Sequence, residues 1–205
     1  MVFVIGPPGA GKTTLTKEVG CLDGISTICL GDVFRSIAKI KDSNILFPFE
    51  KIIKQQIMAG GIVPPEITIK IISTYMVGIM GFKNCFVDGD EDNMIFIIDG
   101  FPYNMENYNE WKKFITQKPV KVLGTILIDT PDTLTLVNRL QSRQRAGEDD
   151  KRSKERIAYF REHVDHIIAD LGRIDTIDAS LSLEETKKKM LEYLAMYREI
   201  KTNKY

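Results

Sequence analysis

The sequence predicts an α/β fold, a five-stranded parallel sheet flanked by helices. Three observations carry that expectation. Short runs rich in β-branched residues alternate with longer stretches of helical period. Those runs hold few charges, as strands buried on both faces require. A glycine-rich segment, Gly6 to Thr14, joins the first run directly to the first helical stretch.

Taken in order, residues 1–5 (MVFVI) are apolar throughout and lead straight into glycine. They lack the basic start of a secretion signal and read as a buried strand. A helix is expected over 12–20 and a strand over 26–30 (STICL). Three helices, 32–41, 48–59 and 65–80, then precede the next strand. One crossover needs only one helix, so 31–80 is expected to form a small helical subdomain at the sheet's edge. The acidic stretch 81–94 (GFKNCFVDGDEDNM) has the composition of a solvated loop. Strand 94–98 (MIFII), helix 105–116, strand 122–128 (VLGTILI), helices 132–144 and 152–171, strand 174–178 (IDTID) and helix 183–202 complete the alternation. The last helix sets Lys187, Lys188 and Lys189 beside Met190, Leu191 and Leu194, the pattern of an amphipathic packing helix.

With 205 residues, 43% of them apolar and 27% charged, the chain can bury one core with a small appendage. It carries 28 basic and 28 acidic residues, so no net field draws it to nucleic acid or an anionic membrane, and neither is an expected partner. Its apolar runs, such as Met94–Ile98, are strand-sized and too short to cross a bilayer. Cys21, Cys29 and Cys85 are odd in number and show no CxxC spacing. That argues against disulfides or zinc and fits a reducing, cytoplasmic setting in which all three are small buried hydrophobes. His163 and His166 fall at i, i+3 with no third candidate ligand, and no metal role is expected of them.

The strongest chemical signal is Gly6-Pro7-Pro8-Gly9-Ala10-Gly11-Lys12-Thr13-Thr14, a complete G-x-x-x-x-G-K-[ST] between a strand and a helix. Glycines let successive backbone N–H groups turn inward around an anion, and the helix that follows points its positive end at the same place. Lys12 then bridges the β- and γ-phosphates and Thr13 offers a hydroxyl to Mg²⁺. Gly9, Ala10, Gly11, Lys12, Thr13 and Thr14 are therefore the expected ATP-binding residues of a P-loop fold. The loop specifies a nucleoside triphosphate but not its use.

Four further segments resemble the nucleoside monophosphate kinases, the adenylate kinase and UMP–CMP kinase group, and the likeness runs over nearly the whole chain. Gly31-Asp32-Val33-Phe34-Arg35 is similar to the family's G-[DE]-L-L-R, and Gly61-Ile62-Val63-Pro64 to its I-V-P segment. Asp99-Gly100-Phe101-Pro102 matches D-G-F-P. Arg139 and Arg143, then Arg145 and Arg156, match the arginines that begin and flank the lid. The resemblance implies one kinase domain with a core of 1–30, 81–138 and 157–205, a monophosphate-binding subdomain of 31–80 and a short lid of 139–156. It implies that Lys12, Arg143, Arg145 and Arg156 are catalytic and that Arg139 joins the ATP site. Arg35, Ile62, Val63, Gly100, Tyr103, Asn107, Arg145 and Arg156 would hold the acceptor. Thr13 would bind Mg²⁺, with Asp32 and Asp99 acting through water. Guanidinium forks suit this chemistry because phosphoryl transfer spreads negative charge over several oxygens. Residues 139–161 hold eight basic and four acidic residues, a local excess in a neutral chain.

Asn107, followed four residues later by Trp111, resembles the pyrimidine enzymes, where adenylate kinases usually carry glutamine. Asn107 taken alone reads equally well as an exposed helix asparagine. Two departures stand out. Tyr103 replaces the arginine of the family's D-G-F-P-R, and only Gln144 separates Arg143 from Arg145. The aspartates expected after the lid are either Gly147 and Glu148 or Asp149 and Asp150, depending on register. The short lid has no cysteine quartet for zinc. The expected activity is transfer of the γ-phosphoryl group of Mg-ATP to CMP or UMP by a monomer. AMP as acceptor is the nearer alternative, and a nucleotide-binding protein with a degenerate acceptor site, marked by Tyr103, is the other.

Overall fold

The computed structural model describes residues 1–22, 24–40, 49–86, 94–116, 120–143 and 150–202. Five parallel strands form one sheet: β1 (Val2–Ile5), β2 (Ile25–Cys29), β3 (Ile95–Asp99), β4 (Gly124–Asp129) and β5 (Ile174–Asp178), in the spatial order β2-β3-β1-β4-β5. Eight helices flank them: α1 (Lys12–Val19), α2 (Leu30–Ala38), α3 (Glu50–Ala59), α4 (Pro65–Phe86), α5 (Met105–Ile115), α6 (Thr133–Ser142), α7 (Asp150–Leu171) and α8 (Leu183–Thr202). This is the P-loop α/β architecture expected from the sequence.

Strand alternation divides the core into two layers. Phe3 and Ile5 of β1 and Phe96 and Ile98 of β3 face one side, where α2 to α5 and the C-terminal part of α7 cover them. Val2 and Val4, with Ile95 and Ile97, face the other, beneath α1, α6 and α8. All are at most 7% exposed, which is why these strands are continuously apolar. On the first face Phe3, Phe101 and Trp111 meet edge to face, with centroids 5.4 to 5.8 Å apart. Trp111, fully buried, thereby fixes α5 against the sheet one turn from Asn107.

Three expectations need correction. α4 continues to Phe86, into the stretch read as loop, because the polar residues that suggested a turn still permit helix. α2 starts at Leu30, directly after β2, since Leu30 is buried in the core as its first residue. Cys21 is exposed and not a core hydrophobe, while Cys29 is half-buried and its thiol is pushed up to about 11, chiefly by burial. Helices α2, α3 and α4 do fill the interval before β3, and their apolar faces join the same hydrophobic cluster as the sheet.

Candidate active site

The site forms where the central strands end. β1 is paired on one side with β3, Val4 opposite Asp99, so the loop leaving β1 and the carboxylate ending β3 lie side by side. In open parallel sheets the crevice at the carboxyl ends of the strands is the natural ligand site. Gly9 and Gly11 adopt positive φ, 88° and 86°. A Cβ on Gly9 would lie 2.5 Å from the carbonyl oxygen of Leu136, so a side chain is excluded both by conformation and by the approach of α6. Gly11 precedes α1 without a side-chain cap, leaving the helix's first N–H groups to an anion.

A cleft of about 400 Å³ opens over this loop. Gly9, Gly11, Lys12 and Thr13 form its floor. Arg35 of α2 and Ile62 and Val63, between α3 and α4, form one wall. Asp99, Gly100, Tyr103 and Asn107 contribute another, and Arg143 and Arg156 close the cleft from α6 and α7. An adjoining depression of about 290 Å³ is lined by Ala10, Thr14 and Arg139, together with Gly9, Gly11 and Arg143. Arg143 therefore borders both spaces. Arg139 donates to the Ala179 carbonyl at 2.9 Å, which ties it to the loop after β5.

One expected residue is not brought into the cleft, and another lies outside the described residues. Asp32 does not line it; its carboxylate pairs with Lys17 at 2.5 Å and Arg35 at 2.6 Å. Burial raises that carboxyl's pKa, but Lys17 and Arg35 together outweigh it and hold the group below the usual range. Arg145 lies outside the described residues, as do Gln144 and the alternative lid aspartate positions 147–149. Asp150, by contrast, opens α7 and pairs with Lys154 at 2.7 Å.

The Lys12 ammonium donates to the carbonyls of Gly6 and Pro7 at 2.7 and 2.9 Å. Burial lowers its pKa to about 8; Asp99 opposes that shift, and Arg143 and Arg156 add to it. A cation held so reluctantly among other cations marks a place prepared for an anion. Beside it the Thr13 hydroxyl donates to Asp99 Oδ2 at 2.6 Å, and Asp99 is only 3% exposed. A hydroxyl and a carboxylate at the foot of a phosphate loop are the hard oxygen donors that suit Mg²⁺. Among the described residues no cluster of three or more His, Cys, Asp or Glu could cage a metal. Mg²⁺ shared between few protein oxygens and substrate phosphates is the arrangement these donors fit.

On the acceptor side Asn104 caps α5, accepting from the Asn107 N–H at 2.9 Å. Asn107 Oδ1 accepts from the Tyr103 N–H at 3.3 Å, while Nδ2 is buried with no hydrogen-bond partner. Asn107 is 3% exposed, so its reading as a surface asparagine is excluded. The Tyr103 phenol is hydrogen-bonded to Arg156; burial raises its pKa, Arg156 opposes the rise, and the group stays neutral. Its ring stacks on Tyr159 at 5.7 Å and 11°, and Tyr159 stacks in turn on His163 at 4.1 Å. His163 Nδ1 lies 2.8 Å from the Tyr159 carbonyl, a role within the helix.

Arg152, Glu155 and Phe160 of α7 also line the cleft, although sequence reasoning had not singled them out. The available signal was spacing: Arg152 is one helical turn before Arg156 and so shares its face.

The comparisons with known proteins agree with this geometry. The adenylate kinase family model matches residues 4–176. A UMP-CMP kinase of Xenopus laevis is 31% identical over 198 residues, 93% of this chain and 95% of that protein. The human UMP-CMP kinase is 30% identical over 191 residues, 90% of this chain and 91% of that protein. A probable UMP-CMP kinase 1 of Arabidopsis thaliana is 33% identical over 190 residues, 90% of this chain and 83% of that protein.

Proposed function

We propose that this protein, which belongs to the adenylate kinase family and is a nucleoside monophosphate kinase, transfers the γ-phosphoryl group of ATP to a pyrimidine acceptor, CMP or UMP. The observation that carries the choice of base is the Asn107 amide. Its oxygen is committed to the Tyr103 N–H, and its nitrogen is a buried donor lacking a partner in a residue that lines the cleft. Cytosine and uracil each offer a ring carbonyl to such a donor, whereas adenine offers only ring nitrogens, whose lone pairs lie at different positions on the base. A buried donor left unsatisfied by the wrong base costs about 1–3 kcal/mol, enough to select between acceptors. The UMP-CMP kinases among the relatives support the same reading.

The donor's phosphates would lie in the loop of Gly9 to Thr14, with the adenine side toward Arg139. Lys12, Arg143 and Arg156 would hold the transferring group, and Arg145 would join them from the lid. Arg35 would take the acceptor's phosphate, while the backbone of Ile62 and Val63 and the turn at Gly100 would shape the space around its sugar and base. Thr13 and, through water, Asp99 would hold Mg²⁺, which would supply charge neutralisation for the donor's phosphates. The acceptor phosphate oxygen attacks in line; its second ionisation near pH 6 leaves it anionic at neutral pH, so no side chain need act as a base. Enclosure by the arginine-bearing helices serves to exclude water, which would otherwise accept the phosphoryl group.

The test is turnover of Mg-ATP with a panel of CMP, UMP, dCMP, AMP and GMP, following diphosphate formation. CMP or UMP is expected to show the highest kcat/KM. A kcat/KM for AMP well above both would overturn the pyrimidine assignment.

A further inference from the structure

We infer that Arg152 is a substrate-binding arginine of this enzyme, placed to hold the phosphate of the acceptor monophosphate. The inference rests on the monophosphate kinase reading and is independent of which base the acceptor carries.

Helix α7 presents Arg152, Arg156, Tyr159 and His163 at i, i+4, i+7 and i+11, a single stripe along one face. The stripe's direction is fixed by contacts. Arg156 and Phe160 line the cleft, Arg156 is bonded to the Tyr103 phenol, and Tyr159 stacks on the Tyr103 ring. Arg152 lines the same cleft one turn nearer the start of α7, roughly 6 Å along the helix axis from Arg156.

Its position favours the acceptor. Arg152 lines the main cleft, where Arg35, Val63, Tyr103 and Asn107 stand across from the floor of Gly9 to Thr13, and it does not reach the adjoining depression beside Arg139 and Thr14. Arg143, by contrast, borders both. The chemistry on that side also calls for another cation. Tyr103 contributes a neutral phenol, Arg156 shares its guanidinium with that phenol, and Arg35 shares its own with Asp32 at 2.6 Å. An acceptor phosphate carries close to two negative charges at neutral pH. A further guanidinium, able to bond two oxygens at once, meets that demand as a hydroxyl cannot. Lys154, on the opposite side of the same turns, pairs with Asp150 at 2.7 Å and does not line the cleft.

The test compares Arg152→Ala, Arg152→Lys and Lys154→Ala with the wild-type enzyme, using whichever monophosphate the wild type prefers. Steady-state KM for donor and acceptor, and calorimetric Kd for the acceptor, are measured. Arg152→Ala is expected to raise the acceptor's KM and Kd about tenfold or more. The KM for ATP should stay within about twofold, Arg152→Lys should recover part of the loss, and Lys154→Ala should change neither constant. Unchanged acceptor constants in Arg152→Ala would overturn the inference. So would an equal rise in Lys154→Ala, which would mean that only the general field of α7 acts, or a rise confined to ATP. Failure of the kinase reading would appear separately, in a wild-type protein that turns over no monophosphate. Acceptor Kd then decides on Arg152, and absence of any monophosphate binding overturns it.

Discussion

The proposed donor and acceptor halves of the cleft are built from different materials. The donor half is a contiguous piece of backbone, Gly6 to Thr14, in which three positive-φ glycines and a helix start do most of the work and Lys12 and Thr13 supply the side-chain chemistry. The proposed acceptor half is assembled from four separate segments: Arg35 on α2, the backbone of Ile62 and Val63 before α4, Tyr103 and Asn107 around the start of α5, and Arg152 and Arg156 on α7. A backbone cradle recognises phosphates whatever nucleotide bears them, and its sequence has little freedom to vary. A side-chain wall can exchange an arginine for a tyrosine at one position and place an arginine elsewhere, so that is where one monophosphate kinase can differ from another.

The comparison breaks most readily at Lys12. Replacing it by methionine removes the cation that bonds Gly6 and Pro7 and sits nearest the expected transferring group. A loss in kcat of about 10²–10³ is expected, the scale of removing one preorganised stabiliser of transition-state charge. If the donor half is indifferent to the acceptor, the loss should be the same factor for every monophosphate the enzyme accepts. A loss that differs severalfold between CMP and AMP, measured under saturating ATP, would show that the two halves are not separable.

Tyr103 gives a smaller effect of the opposite kind. Tyr103→Phe keeps the stack on Tyr159 but deletes the hydrogen bond to Arg156. The acceptor KM should rise about two- to tenfold, less than for a fully buried charge-assisted bond, with the ATP KM unmoved. Tyr103→Arg restores a cation facing the acceptor phosphate and should tighten acceptor binding, although in the empty cleft it sets two guanidiniums together and should lower the melting temperature. Unchanged acceptor affinity in Tyr103→Arg would refute the idea that the phenol stands where charge is wanted.

The same contrast explains what could be read from the chain in advance. The five strands and eight helices of the described residues were legible, because strands buried on both faces are uniformly apolar and each helix keeps its period. The donor loop was legible for a stronger reason: every residue that acts there is a sequence neighbour of the others. The acceptor wall was legible only where it matched a family register, as at Arg35 and Asn107. Arg152 escaped because its one mark in the sequence, a place one turn before Arg156, is shared by many arginines on charged helices; the packing of α7 against Tyr103 shows which face meets the cleft. Asp32 shows the reverse, a recognisable position whose carboxylate is engaged by Lys17 and Arg35. Nor could sequence tell that Asn107 is buried, since that depends on Asn104 and Tyr103 closing the turn above it.

The smallest expected effect separates the halves by proton count. In the empty cleft burial brings the Lys12 pKa down to about 8, with Arg143 and Arg156 pushing the same way and Asp99 resisting. Bound donor phosphates favour the charged ammonium and raise the pKa toward its ordinary 10.5. A base whose pKa rises on binding takes up a proton mostly between the free and bound values. At about pH 8 half of Lys12 is charged in the empty cleft, and at lower pH the uptake fades. Above that midpoint, ATP binding should absorb a fraction of a proton, and affinity should fall as pH rises. Calorimetry of ATP binding at pH 8.5, in two buffers of different ionisation enthalpy, measures this directly. The uptake should vanish in Lys12→Met. Acceptor binding at the same pH should show less, because arginines do not titrate there, the monophosphate is already fully ionised and only the longer-range pull of its phosphate acts on Lys12. Equal uptake by wild type and Lys12→Met would mean that the donor's phosphates do not reach Lys12, and the assignment of the loop as the donor half would fail with it.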